Sequence, residues 1–415
     1  MAAAGLRSLS AAMKNTNTSR GFRGAGAGSM RGRSSGSPPP AQVRARPAQA
    51  GLTLIELMVA LLLGLILIGG AIQVFVSNRA AYAFNEGFSR LQENGRFALD
   101  TIGYHVRLAG YLGCRSGVTV YNNLVDAATV PFNLAEGIYG YEADGTLPGD
   151  TFEPATTNPA NSDTEGDWDP PLPTGADIAL DGSVIPGSDV LIVRHVNPSS
   201  YALLSPFSTA TEVTADAPAD AFQAGDIAVA SDCQKSSIFQ VSAVANVGGG
   251  ITLSHSGGTP GNALPSWDTD QQYAAGAQVA RGETWAFYVG ARGAGLPPAL
   301  FQRRLVIDSG ASTASFDVTE ELVEAVETMQ VRYGVDTDLD GAIDRYDTAN
   351  DVEDAGDWAS VAAVRVAIVT RSPDEYGTEV DETDYLVDDV IFDPVDDRRV
   401  RQVFVSTIAI RNRLP

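Results

Sequence analysis

One segment limits what this chain can become. Residues 52–76, LTLIELMVALLLGLILIGGAIQVFV, form an unbroken apolar run with a single charge, Glu56. Twenty-five residues at ~1.5 Å each in a helix exceed the ~30 Å of a bilayer core. No second run of this kind occurs in the 415 residues, so the expected topology is one span with a large exported part. Residues 1–51 carry eight Lys or Arg and no Asp or Glu, which places that side in the cytoplasm. They are rich in Gly, Ser, Ala, Pro and Arg and lack the apolar side chains to build a core, as expected of a leader. The remainder holds 20 basic and 51 acidic residues, and its acidity argues against direct nucleic-acid binding. A hydrophobic share of 44% excludes wholesale disorder.

Glu56 is the costly residue of the run. A carboxylate near mid-membrane costs ~2–3 kcal/mol or more. One explanation is an acid at a helix N-terminus, where the dipole favours negative charge. The other is a partner for a positive group created by cutting the chain after Gly51. That cut makes Leu52 the new N-terminus and Glu56 the fifth residue of the shortened chain.

The string Gly51-Leu-Thr-Leu-Ile-Glu56-Leu-Met-Val resembles the signal of type IV prepilins and type II secretion pseudopilins. The match rests on Gly51, Thr53, Leu54, Ile55 and Glu56, while Leu52 stands where the family commonly has Phe. The resemblance implies cleavage between Gly51 and Leu52 by prepilin peptidase and methylation of the new N-terminus. It gives Glu56 a role in methylation and filament assembly. The leader is long for this family, and Met30 is an internal candidate start.

Beyond Val76, apolar residues Phe84, Phe88, Leu91, Phe97, Ile102 and Val106 suggest a helix with one buried stripe. Gly87, Gly95 and Gly103 each weaken it by up to ~1 kcal/mol. The expectation is one helix from about Leu54 to Leu108, stopped at Gly110. Residues 91–114, 333–346 and 400–414, with Cys114 and Cys233, resemble PilW-type minor pilins. That resemblance implies an α+β pilin-like fold: a long N-terminal helix, membrane-spanning in its first half, on a large antiparallel β-rich head. It divides the chain into a leader (1–51), a pilin helix (52–110) and a head (111–415). It also implies a non-enzymatic role in priming or capping the pilus, supporting motility, adhesion or DNA uptake. Implied partners are the other minor pilins, the major pilin, the inner-membrane assembly platform and membrane lipid. The implied location is the inner membrane with a periplasmic head, then the pilus fibre or tip. Alternatives are a type II secretion pseudopilin and a membrane-anchored periplasmic binding protein or enzyme.

Expected strands in the head are 188–196, 226–231, 237–246, 277–290, 299–308, 328–336, 361–371 and 400–412. Residues 145–187, dense in Pro, Gly, Asp and Thr, suggest a surface excursion. In an exported head Cys114 and Cys233 are expected to be oxidised, the alternative being two free buried thiols.

Counted from Asp336, acids fall at positions 1, 3, 5, 9 and 12: Asp336, Asp338, Asp340, Asp344 and Asp347. Gly341 stands at position 6 and Ala342 at position 7, where a carbonyl would serve. This is the ligand spacing of a calcium loop, and one Ca2+ is the expected occupant. The alternative is an acidic turn. A further acidic group, Asp381, Glu382, Asp384, Asp388 and Asp389, lacks regular spacing and suggests a solvated face. Asp308-Ser309-Gly310 resembles half of an aspartic-protease site, but no second copy follows Gly51, and turn chemistry accounts for it. The three histidines, His105, His195 and His255, are far apart in sequence and suggest no metal cluster.

Overall fold

The computed structural model describes residues 51–114, 117–125, 130, 132–154, 167–173, 180, 184–256, 261–264, 266–293, 296–308 and 313–413. The expected leader, apart from Gly51, and Ser309-Gly310 lie outside the described residues. The chain divides into two compact units, Met1–Leu67 and Ile68–Pro415. Helix α1 (Leu54–Leu108) passes through the boundary. In the first unit every apolar side chain from Leu52 to Leu67 is exposed. By length and composition α1 can cross a membrane.

In the second unit the buried residues of α1 are Gly87, Leu91, Gly95, Ala98, Ile102, Gly103, His105 and Val106. This corrects the expected stripe: Phe84 and Phe97 are exposed. Small residues face the head because aromatic rings press against the helix there. A Cβ on Gly95 would lie 2.4 Å from the Phe404 ring, and one on Gly87 2.2 Å from the Tyr376 ring. The glycines that weaken the helix in isolation are what let the head approach it. Gly110 ends the helix in the left-handed region (φ 68°), and its N–H donates to the Arg194 carbonyl at 2.9 Å.

The strands are β1 (Thr119–Asn122), β2 (Ile138–Ala143), β3 (Thr151–Phe152), β4 (Trp168–Asp169), β5 (Val190–Ser208), β6 (Glu212–Ala215), β7 (Ile227–Ser231), β8 (Lys235–Gln240), β9 (Ala243–Val247), β10 (Gly250–Ser254), β11 (Gln278–Gly290), β12 (Ala299–Asp308), β13 (Thr313–Glu324), β14 (Val326–Val335), β15 (Arg345–Asp347), β16 (Val361–Arg371), β17 (Tyr385–Val387), β18 (Val390–Phe392) and β19 (Arg401–Ala409). Helix α2 spans Ala349–Ala355. The fold is therefore α+β, a long apolar helix with a mostly antiparallel β-rich head. A large sheet runs β1-β8-β7-β11-β5-β6-β10-β9, with β12 and β13 added through β11, and β2 and β4 through β5. A second sheet runs β15-β14-β16-β19, and a third β17-β18-β3.

The main core joins Ala98, Ile102 and Val106 of α1 to β2, β5, β11, β14 and β16. Both faces of β16 are buried: Val364, Val366 and Ile368 enter the main core, while Ala367 and Val369 pack on Val387 and Phe392. The expected strand 237–246 is two strands, β8 and β9. Residues 145–187 are not only surface: Trp168, Leu172 and Leu180 are buried in the main core, and Trp168 Nε1 donates to the Ser188 carbonyl at 3.0 Å. Cys114 and Cys233 form a disulfide across a separation of 119, tying the segment after α1 to the β7–β8 turn.

Candidate functional site

The start of α1 is closed by its own side chains. The Thr53 N–H and hydroxyl donate to Glu56 Oε2 at 3.0 and 2.9 Å, and the Glu56 N–H donates to Thr53 Oγ1 at 3.3 Å. This reciprocal pair is a capping box, with Thr53 at the N-cap and Glu56 three residues on. The Thr-x-x-Glu spacing signals it in the sequence. Glu56 thus satisfies backbone donors that a helix end leaves open.

The acidic loop after β14 is partly assembled. Ligand oxygens of Asp336, Asp338 and Asp340 lie within 4.8 Å of one another, and this group could hold a metal ion. Asp336 is buried and accepts from the N–H groups of Asp340 (3.2 Å) and Gly341 (2.9 Å). Gly341 makes the turn at φ 90°. The full twelve-position ring does not form. Asp344 turns to Thr337, accepting from its N–H at 2.8 Å and its hydroxyl at 2.5 Å, and these bonds hold its carboxyl below the usual range. Asp347 accepts from Arg345 Nε at 2.5 Å. Ala342 donates its N–H to Asp340 at 2.8 Å. The second acidic group is not simply a solvated face: Asp388 pairs with Arg365 at 2.8 Å, and Asp381 accepts from the Tyr385 hydroxyl at 2.7 Å.

Residues 286–412 match the family described as type IV pilus-assembly protein W. Residues 46–72 match the prokaryotic N-terminal methylation motif. Over these two segments the chain is similar to PilW-type pilins. No curated protein matches it. No solved structure matches it either. The two matches indicate a minor pilin, a structural component of the type IV pilus, and the motif implies processing by a prepilin peptidase and assembly with other pilins. The apolar helix fits membrane anchoring. The PilW match covers β14, β16, β19 and the acidic loop, while the helix segment 91–114 and both cysteines fall outside the two matched segments.

The joint between helix and head of this chain holds residues that sequence separation hid. His105 of α1 and His195 of β5, far apart in the chain, meet with Nδ1···Nε2 at 2.9 Å. His195 Nδ1 lies 3.1 Å from the Val196 carbonyl. Trp285 and Phe287 flank the His105 ring. Burial, and then the facing His195, push His105 down to about 3. Burial alone pushes His255 down to about 4 and also lowers His195. Unfolding returns all three to ~6.5. The unfolded chain then binds more protons below that pH, so stability falls as pH drops under ~6.5 and the histidine contribution is flat above it. The expected slope is up to about 1.4 kcal/mol per pH unit per histidine. Melting curves from pH 7.5 to 5 check this, and a slope no shallower in His105→Phe would contradict it.

Two buried ionic groups were also missed. Arg332 of β14 donates through Nη1 to Glu142 Oε1 and Oε2 at 2.9 and 3.1 Å, and lies 3.9 Å from Asp189. Asp189 accepts from the N–H groups of Ala143 (2.9 Å) and Val331 (2.7 Å), so the group joins β2 and β14 to the residue just before β5. Glu327 takes Arg371 and Arg401 at 2.9 and 2.8 Å.

Proposed function

We propose that this chain assembles with other minor pilins to prime or cap the type IV pilus, in support of motility, adhesion or DNA uptake. The observation that carries the reading is the N-terminal methylation motif lying over an exposed apolar helix, joined in one chain to a PilW-matched head. On this reading 1–51 is a leader removed between Gly51 and Leu52, 52–110 is the anchoring and polymerising helix, and 111–415 is a periplasmic head that reaches the fibre or tip. Prepilin peptidase, the major pilin and the inner-membrane platform are its partners in turn. Glu56 sets the register of the helix among its neighbours.

Mass spectrometry should find mature protein that begins at a methylated Leu52, in purified pili as well as in membranes. A chain that stays uncut would sink the proposal. Glu56→Ala is expected to leave the head's melting temperature unchanged and to lower incorporation about tenfold or more. Normal incorporation would contradict the role given to Glu56.

The acidic loop is proposed to hold Ca2+, with Asp336, Asp338 and Asp340 as first ligands. Asp344, Asp347 and the Ala342 carbonyl are placed to join by local rearrangement. Calcium should raise the melting temperature by several degrees over chelator, and Asp338→Ala should abolish the rise. Equal melting with calcium and with chelator would refute the site.

A further inference from the structure

Strand β19 is the outer strand of its sheet and pairs only with β16, antiparallel, from Ala363↔Ala409 to Arg371↔Arg401. The Ile410 N–H donates to the Ala362 carbonyl at 2.9 Å, and the Ser372 N–H to the Val400 carbonyl at 2.8 Å. In an antiparallel ladder both backbone groups of a residue point the same way, alternating along the strand. The even-numbered residues of β19 therefore face β16. Val403, Val405, Thr407 and Ala409 turn their N–H and C=O groups outward. Among the described residues none of these groups has a hydrogen-bond partner.

Beside this edge runs a groove of about 390 Å3 between β19 and α1, with Gln92, Arg96 and Asp100 on one wall and Phe404, Val405 and Ser406 on the other. A bare edge next to a groove is the arrangement that takes an added strand: the backbone supplies affinity, and alternate side chains enter the groove. The charge is also distinctive. Residues 398–413 hold five arginines and no acid, in a head that is otherwise strongly acidic. Arg399 and Arg401 are engaged by Asp397, at 3.2 and 2.9 Å. Arg96, Arg398 and Arg411 are exposed and form no ion pair among the described residues.

We infer that the outer edge of β19 is a strand-addition site for an extended, acid-bearing segment of a neighbouring pilus subunit. This rests on the pilus reading above. The outward backbone groups run from Val403 to Ala409, so the added strand is about seven residues long, with carboxylates toward Arg398 and Arg411 at its two ends.

The test compares the full chain in detergent with the same chain in purified pili. Hydrogen exchange at the amides of Val403, Val405, Thr407 and Ala409 should slow at least about tenfold in pili. Thr407→Pro removes one outward donor without touching the β16 ladder, as an edge strand tolerates. It should keep the wild-type melting temperature and lower incorporation about tenfold. Arg398→Glu/Arg411→Glu should lower it likewise. Edge amides that exchange equally fast in both states overturn the site, as does normal incorporation of Thr407→Pro. Protected amides with normal incorporation of the charge-reversed chain overturn the acidic partner. Wild-type chain missing from pili overturns the pilus reading, and this inference with it.

Discussion

Arg332→Met should lower the unfolding free energy of the head by about 3–5 kcal/mol, the cost of leaving buried charges without their partner. Arg332, Glu142 and Asp189 are each almost fully buried. Burial pushes the Asp189 carboxyl up to about 6, with Arg332 pulling the other way, so the guanidinium is what favours its ionised form. Arg332 Nη2 also donates to the Thr146 carbonyl at 3.1 Å, which would lose that bond. Met fills much of the volume, so the loss is electrostatic rather than a cavity. Denaturant titration reads it directly. The double variant Glu142→Gln/Arg332→Met removes a second member of the group and should cost less than the sum of the two single losses, since residues in one network do not add. A single-variant loss below ~1 kcal/mol would mean that the group contributes little to stability.

Cys114→Ser/Cys233→Ser should cost about 4–5 kcal/mol, from the chain entropy returned to the unfolded state by opening a loop of 119 positions. That loop contains β1 to β7, so the linkage restricts much of the large sheet before it pairs. Denaturation with and without reductant should show the same difference in the wild-type chain, and no difference in the double variant. Equal stability of oxidised and reduced wild-type chain would refute the expected contribution.

The helix was the most legible element. An apolar run, a three-to-four spacing and a terminal glycine placed it at Leu54–Leu108. The same reasoning placed Leu91, Ile102 and Val106 on the buried face but added Phe84 and Phe97, which are exposed, because helical periodicity favours large apolar residues as core. Here Gly87 and Gly95 are the contact and the bulk comes from Tyr376 and Phe404 on the partner elements. Strands with strong β-branched content, such as β11, β12, β16 and β19, were legible for the same local reason. Short strands such as β3, β4 and β17 were not, since two or three residues carry no period. Strand β13, TASFDVTEELVE, was missed because its many acidic and small residues hide the alternation. The pairing of His105 with His195 had no signal at all, being set by which strand the helix lies on. In the acidic loop the spacing named three clustered aspartates correctly. It could not show that Arg345 and Thr337 would compete for the other two.

Both residues of the box that begins α1, Thr53 and Glu56, lie after Gly51. Nothing upstream contributes a hydrogen bond to that first turn among the described residues. A cut between Gly51 and Leu52 breaks none of these three hydrogen bonds. The cap is also a rival: any cation that seeks the Glu56 carboxylate must compete with two donors of Thr53. On the proposed reading, a neighbour's positive group pairs with Glu56 by displacing the Thr53 donors.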